Sequence, residues 1–285
     1  MALTINTNIS SLVAQRNLAN ATGSLNKAIE RMTTGYKINH AGDNAAGYSI
    51  ARNWETQLGS LDVAADNAAM GADMMSTLED HYSLISTHLQ RVRDLTEQAA
   101  NGTYGTASLN AIKSEITARL EEVDRITANC EYNGRKMMNG TITNDINLQV
   151  GLYSGEDSQI TLDKSLFENA NIVTLFGEDK AGVAEKCAGL NDGTSASDML
   201  DEIDNVIKTI SDRTTTLGAA QNRIESAVES IDVQSRNITS SLSTLRDADI
   251  AEESSKFIQA QILQQAAATL LSTANQTPSI ALNLL

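Results

Sequence analysis

One proline stands in 285 residues, and aromatic side chains make up only 4% of the chain. A globular enzyme of this length usually carries more of both, aromatics to fill its core and prolines in its active-site loops. Their scarcity, beside many Ala, Asn, Gln, Ser and Thr, suits long uninterrupted helices packed closely along their length. Two cysteines, Cys130 and Cys187, are too few for a disulfide framework and lack metal-type spacing. Positive charge is also short: the net charge of -15 argues against nucleic acid and against anionic membrane surfaces as partners. The opening residues, MALTINTNISSLVAQRN, contain no basic segment followed by a continuous apolar core, so no cleavable signal peptide is visible. Neither G-x-x-x-x-G-K-[ST] nor G-x-G-x-x-G occurs, and no nucleotide cofactor is expected. His40, His81 and His88 show no H-E-x-x-H or Cys/His spacing, so they read as solvated or interfacial side chains rather than a metal site.

The most telling absence is local. From residue 257 to the end there is no charged side chain, although amides and small residues are frequent. At 100° per residue, Phe257, Ile258, Ile262, Leu263, Leu270 and Leu271 spread around the whole helix circumference. A helix apolar all round is buried on all sides or lies in a membrane. Gln259, Gln261, Gln264, Gln265 and Asn275 interrupt any run long enough to span a bilayer, which excludes membrane insertion. Such a helix needs more helical neighbours than one chain supplies, and self-assembly follows.

The first helix has the same character. Residues 3–33 are expected to be helical, with Ile5, Ile9, Leu12 and Val13 on one side and Leu18, Leu25, Ile29 and Met32 nearly opposite. Residues 2–15 are again free of charge. Turn formers then cluster at Gly35, Asn39, Gly42, Asp43, Asn44 and Gly47, marking a fixed bend. A very long helix is expected over 45–100, because Trp54, Leu58, Leu61, Ala65, Ala68, Ala72, Met75, Leu78, Tyr82, Ile85, Leu89 and Val92 recur in steps of three and four. Asn101-Gly102 ends it. A shorter, antiparallel helix with Leu109, Ile112, Ile116, Leu120, Val123 and Ile126 on one face runs to about Asn133-Gly134.

The period then changes to two. Ile146, Leu148 and Val150, a turn at 154–157, and Ile160 and Leu162 predict a β-hairpin. Residues 164–196 have no clear pattern and are expected to be loop-rich and exposed. A second long helix is expected from Ser197 as N-cap, with a strict four-three rhythm from Ile203 through Ile210, Leu217, Ile224, Ile231 and Ile238 to Leu245. The expected fold is therefore mainly α: a long antiparallel helical coiled-coil rod with a small β-hairpin, plus terminal helices that pair as an inner coiled coil. Its parts are terminal helices over 1–44 and 246–285, a helical rod over 45–140 and 197–245, and an exposed hairpin and loop segment over 141–196.

Six stretches resemble bacterial flagellin, in the order that family has them. They are INTNISSLVAQRNL, GYKINHAGDNAAG, LQRVRDLTEQAANGT and SEITARLEEVDRI in the first half, and DADIAEESSKFIQAQILQQA and ANQTPSIALNLL at the end. The resemblance covers about residues 1–163 and 197–285. It implies a structural subunit, without catalytic residues, that polymerises into the extracellular flagellar filament for swimming. In that family the paired terminal helices order in the filament core, and large outer domains are inserted in the middle; here that insertion is almost absent. The resemblance further implies export through the flagellar secretion apparatus with a chaperone, and contact with hook-junction and cap proteins. It also implies recognition by a Toll-like innate immune receptor, through positions matching Arg91, Leu95 and Glu115. Those three serve an inter-subunit contact equally naturally.

The residues expected to drive assembly are Ile5, Leu12, Leu18, Leu25, Phe257, Ile258, Ile262, Leu263, Leu270 and Leu271. Cys130 and Cys187 flank the middle region; a disulfide between them outside the cell is one hypothesis, two free thiols the other. The competing functions are a hook–filament junction protein, which shares the terminal logic, and a secreted coiled-coil adhesin or enzyme, which needs a large middle domain.

Overall fold

Asn8 starts the first helix: its side chain accepts a hydrogen bond from the Ser11 N–H at 3.1 Å, which satisfies one of the donors that a helix start leaves free. The helix, α1 (Ile9–Thr34), stops at Gly35, whose φ of 76° carries the chain out in the left-handed conformation while its N–H bonds to the Arg31 carbonyl. The computed structural model describes residues 7–190 and 196–282. Within that range the helix begins later than expected from the apolar pattern, because the Asn8 cap fixes its first turn.

The bend after α1 is held by Asp43, which accepts from the backbone N–H groups of Asn39 and His40 at 3.3 and 3.2 Å. Asn44 then caps α2 (Ala45–Ala100) through the N–H of Gly47. After a turn at 101–105 comes α3 (Thr106–Asn129). That helix ends four residues before Asn133-Gly134. Asn133 (φ 47°) and Gly134 (φ 78°) instead form the tight turn of a small hairpin, β1 (Glu131–Tyr132) with β2 (Arg135–Lys136). Asn-Gly with both residues at positive φ matches the right-handed twist of its flanking strands. The predicted hairpin is present as β3 (Ile146–Gln149) antiparallel to β4 (Gln159–Leu162), with Ile146 opposite Leu162 and Leu148 opposite Ile160.

The stretch expected to be an exposed loop is largely folded, and most of its apolar side chains are buried. A 3-10 turn (Lys164–Phe167) leads to α4 (Ile172–Phe176) and α5 (Lys180–Cys187), each started by a side-chain cap: Asp163, Asn171 and Asp179. Phe167, Ile172, Val183, Ala184 and Cys187 have almost no solvent exposure. The segment is pinned to α3, where Asp124 accepts from the Ile172 N–H at 2.9 Å and pairs with Lys180 at 3.2 Å. Helices of five and eight residues are too short for an apolar period to register, so their fold depends on the surface they cover. α6 (Ala196–Arg246) and α7 (Ile250–Leu282) complete the chain. Ser197 lies inside α6 rather than capping it.

The residues form two compact units, one up to Leu58 and from Arg236 onward, the other Gly59–Ser235. In the larger unit, α3 and α6 both run antiparallel to α2. Arg91 on α2 meets Glu115 on α3, while Arg93 pairs with Asp204 at 2.6 Å and Glu79 accepts from Gln221 at 2.9 Å. The four-three rhythm of α6 faces inward as its spacing requires, with Ile203, Ile210, Leu217, Ile224 and Ile231 buried at every seventh position. Ile203, Ile210, Leu217 and Ile224 share one core with Met75, Leu78, Tyr82, Ile85, Leu89 and Val92 of α2, Ile116, Leu120 and Val123 of α3, and Phe167.

In the smaller unit, the turn after α1 is bolted to the turn before α7. Lys37 N–H donates to the Arg246 carbonyl at 2.7 Å, and Ala248 N–H to the Gly35 carbonyl at 2.8 Å. The Arg246 guanidinium lies 4.1 Å from the Tyr36 ring centroid and pairs with Glu55.

Candidate self-assembly surface

α1 and α7 pack against each other antiparallel. Arg31 reaches Glu253 at 3.3 Å, Gln264 donates to Thr22 at 3.1 Å, and Ser11 donates to Asn275 at 2.7 Å. Asn8 Nδ2 adds a bond to the Ala274 carbonyl at 2.7 Å. The seam between them is built of alanines: Ala14, Ala21 and Ala28 on α1 face Ala260 and Ala267 on α7, all buried and each series spaced by seven. Leu18, Leu25, Phe257 and Leu271 flank this seam half-buried. A methyl group as the only side chain lets two helix backbones approach closely.

The consequence is that most of the large aliphatics point outward. Leu12 (57% exposed), Ile258 (55%), Ile262 (60%), Leu263 (53%) and Leu270 (63%) are turned away from the intramolecular seam. Single exposed apolar residues are ordinary; a charge-free helical stretch carrying a series of them is an unpartnered surface. Along one side of the pair lies an open groove of about 610 Å³, lined by the seam alanines, Leu263 and Leu270 together with polar Asn17, Asn20, Ser24, Lys27 and Gln259, and reaching the Arg31–Glu253–Lys256 cluster. Ile5 lies outside the described residues. The alanines are not among the residues expected to drive assembly, although their seven-residue spacing was the available signal.

At one end of the seam the pattern is broken by a charge. Glu253 occupies the position seven before Ala260 and is only 4% exposed. Lys256 (2.9 Å) and Arg31 (3.3 Å) both contact its Oε1. Burial alone would raise the Glu253 pKa, but the hydrogen bond and charge of Lys256, with those of Arg31, outweigh it and hold the carboxylate below its ordinary value.

Two of the three positions assigned to a receptor or inter-subunit surface are brought together at an exposed ion pair. Arg91 Nε and Nη2 both donate to Glu115 Oε1, at 3.0 and 2.9 Å. Leu95 is not part of that surface, being 2% exposed and packed in the α2–α3–α6 core. Cys130 and Cys187 are free, buried thiols rather than a bridge. Burial pushes each thiol up to about 11, only slightly opposed by Lys136 at Cys130 and by a Thr96 hydrogen bond at Cys187. No helix among the described residues is long and apolar enough to cross a membrane.

Comparison with known proteins bears on the whole chain. Residues 5–143 match the bacterial flagellin N-terminal helical region, and residues 200–285 the bacterial flagellin C-terminal helical region. A flagellin of Xenorhabdus nematophila is 36% identical over 313 aligned positions, covering 100% of both chains. A flagellin of Halalkalibacterium halodurans is 34% identical over 281, covering 99% of each. Among solved structures, a putative flagellar hook-associated protein from Vibrio parahaemolyticus superposes with a TM-score of 0.60 at 13% identity, over 72% of this chain and 100% of that one. At that identity the superposition speaks for the fold alone. The two matched regions bracket the chain and full-length relatives align from end to end: this chain belongs to the bacterial flagellin family.

Proposed function

We propose that this chain is a structural subunit of the flagellar filament and that α1 and α7 drive its polymerisation. The observation that carries the reading is the division of labour on these two helices. Alanines occupy the intramolecular seam, while Leu12, Ile258, Ile262, Leu263 and Leu270 are left facing out on helices whose outer stretches carry no charge. In a helical polymer those side chains meet equivalent helices of neighbouring copies. Each fully buried Leu or Ile contributes about 1.5–3 kcal/mol, a gain available only on assembly. The family is one of structural proteins, and a filament subunit needs no active site. Its place is the extracellular flagellum, reached through the flagellar secretion apparatus with chaperone help. Hook-junction and cap proteins are its end contacts.

The Arg91–Glu115 pair is assigned to a lateral contact between subunits, and a Toll-like receptor would use the same surface. The hook–filament junction alternative is weaker, because full-length flagellins at 34% and 36% identity align with this chain from end to end.

The test is Ile262→Asp, with Ile262→Leu as control. The position is exposed, so both variants keep the fold of the subunit. Electron microscopy after heating and slow cooling is expected to find micrometre-long filaments for wild type and Ile262→Leu, and none for Ile262→Asp. Equal filament yield for all three would place the driving surface elsewhere.

A further inference from the structure

The alanine seam of α1 and α7 poses a pairing problem. Because Ala14, Ala21 and Ala28 repeat every seven residues and Ala260, Ala267 and Ala274 do likewise, sliding one helix by seven residues sets alanine on alanine again. On α1 the half-buried Leu18 and Leu25 repeat with the same step, while on α7 Phe257 and Leu271 stand two such steps apart with Gln264 between them. Apolar packing therefore discriminates poorly between the observed register and its one-heptad neighbours.

The polar contacts do not share that period. On α7 they fall at Glu253, Gln264 and Asn275, eleven residues apart, and their α1 partners are Arg31, Thr22 and Ser11. A repeat of seven and a repeat of eleven coincide only at zero shift over a helix of 33 residues. A slip of one heptad takes Glu253 opposite Ser24 or past the end of α1, and Gln264 opposite Gln15 or Ile29, breaking all three contacts together. Glu253 is the costliest to displace, since it is the buried member and a slip strips it of Arg31, leaving only Lys256 of its own helix at 2.9 Å. A polar residue at one core position of a coiled coil is an effective register device for this reason.

We infer that Glu253, assisted by Gln264, sets the register in which α1 and α7 pair. These residues choose the register of helix pairing, and the apolar seam supplies most of its strength. The inference rests on α1 and α7 being the assembling elements and deepens that reading: only one register presents the outward aliphatics in the arrangement that neighbours accept.

Paired cysteine substitutions read the register directly. Ser11→Cys with Asn275→Cys reports the observed register, and Ser11→Cys with Ala268→Cys reports a one-heptad slip. Each pair is oxidised in the full chain, in polymer and in solution, and the disulfide-linked peptides are identified by mass spectrometry. With Glu253 and Gln264 intact, the link between positions 11 and 275 is expected to dominate. In Glu253→Ala with Gln264→Ala, the ratio of slipped to native link is expected to rise at least about tenfold, equivalent to about 1.4 kcal/mol. An unchanged ratio overturns the inference. So does loss of both links, which would make these residues the source of pairing itself. Polymerisation of the wild-type chain is scored separately. Its failure would sink the filament reading and leave the register result standing.

Discussion

Truncating Phe167 to alanine tests the least expected part of the fold, the burial of the segment between the hairpin and α6. Phe167 is 0% exposed and belongs to the same core as Tyr82, Ile116 and Ile203. Removing a fully buried phenyl ring costs about 3–5 kcal/mol, lost transfer energy and cavity together. For a unit the size of Gly59–Ser235, each kcal/mol moves the melting temperature by about 2–4 °C, so Phe167→Ala should melt about 6–20 °C lower. Tyr82→Phe probes the same junction more gently. Its hydroxyl donates to the buried Leu166 carbonyl at 3.0 Å, and leaving that acceptor short costs about 1–3 kcal/mol. Val173→Ala, at a position 55% exposed in the same segment, is the control and should stay within about 0.5 kcal/mol of wild type. The assay is calorimetry or urea unfolding of the depolymerised subunit, followed by circular dichroism. If Phe167→Ala melts within about 2 °C of Val173→Ala, the segment does not belong to the core and the energetic argument here is refuted.

Three further outcomes are expected. Both thiols should be unreactive in the folded subunit and react on unfolding: with a pKa of about 11, about a thousandth of each is thiolate at about pH 8. A native chain containing a Cys130–Cys187 disulfide would show instead that oxidation remodels this region. Acid should weaken the α1–α7 pairing through Glu253. Its folded pKa lies below the ordinary glutamate value, so its stabilisation is present above that value and drains away as pH falls through the folded pKa. Helicity of wild type and Glu253→Gln should differ near neutral pH and converge in acid, and a constant difference across the range rejects the Glu253 contribution. Gly151→Ala should loosen the hairpin, since a Cβ there would lie 2.9 Å from the Ser158 Cα. Overpacking against backbone costs about 1–3 kcal/mol, and equal stability in urea would mean the loop yields freely.

Much of the fold follows from the order of residues alone. The four-three rhythm of α6, the steps of three and four in α2 and the alternation at 146–162 each state a period, and a sustained period determines both the element and its inner face. Charge-free ends likewise identify the helices left in need of partners. Two matters were decided only in three dimensions. On α7 the large aliphatics surround the helix and by themselves name no inner face; packing placed the alanines of the seven-residue repeat in the seam and left the larger side chains outside. Between Asp163 and Cys187 the helices are too short to carry a period, and their burial depends on the surface that α2, α3 and α6 offer. Local sequence sets an element where the pattern repeats, whereas packing decides wherever the pattern is symmetric or too brief.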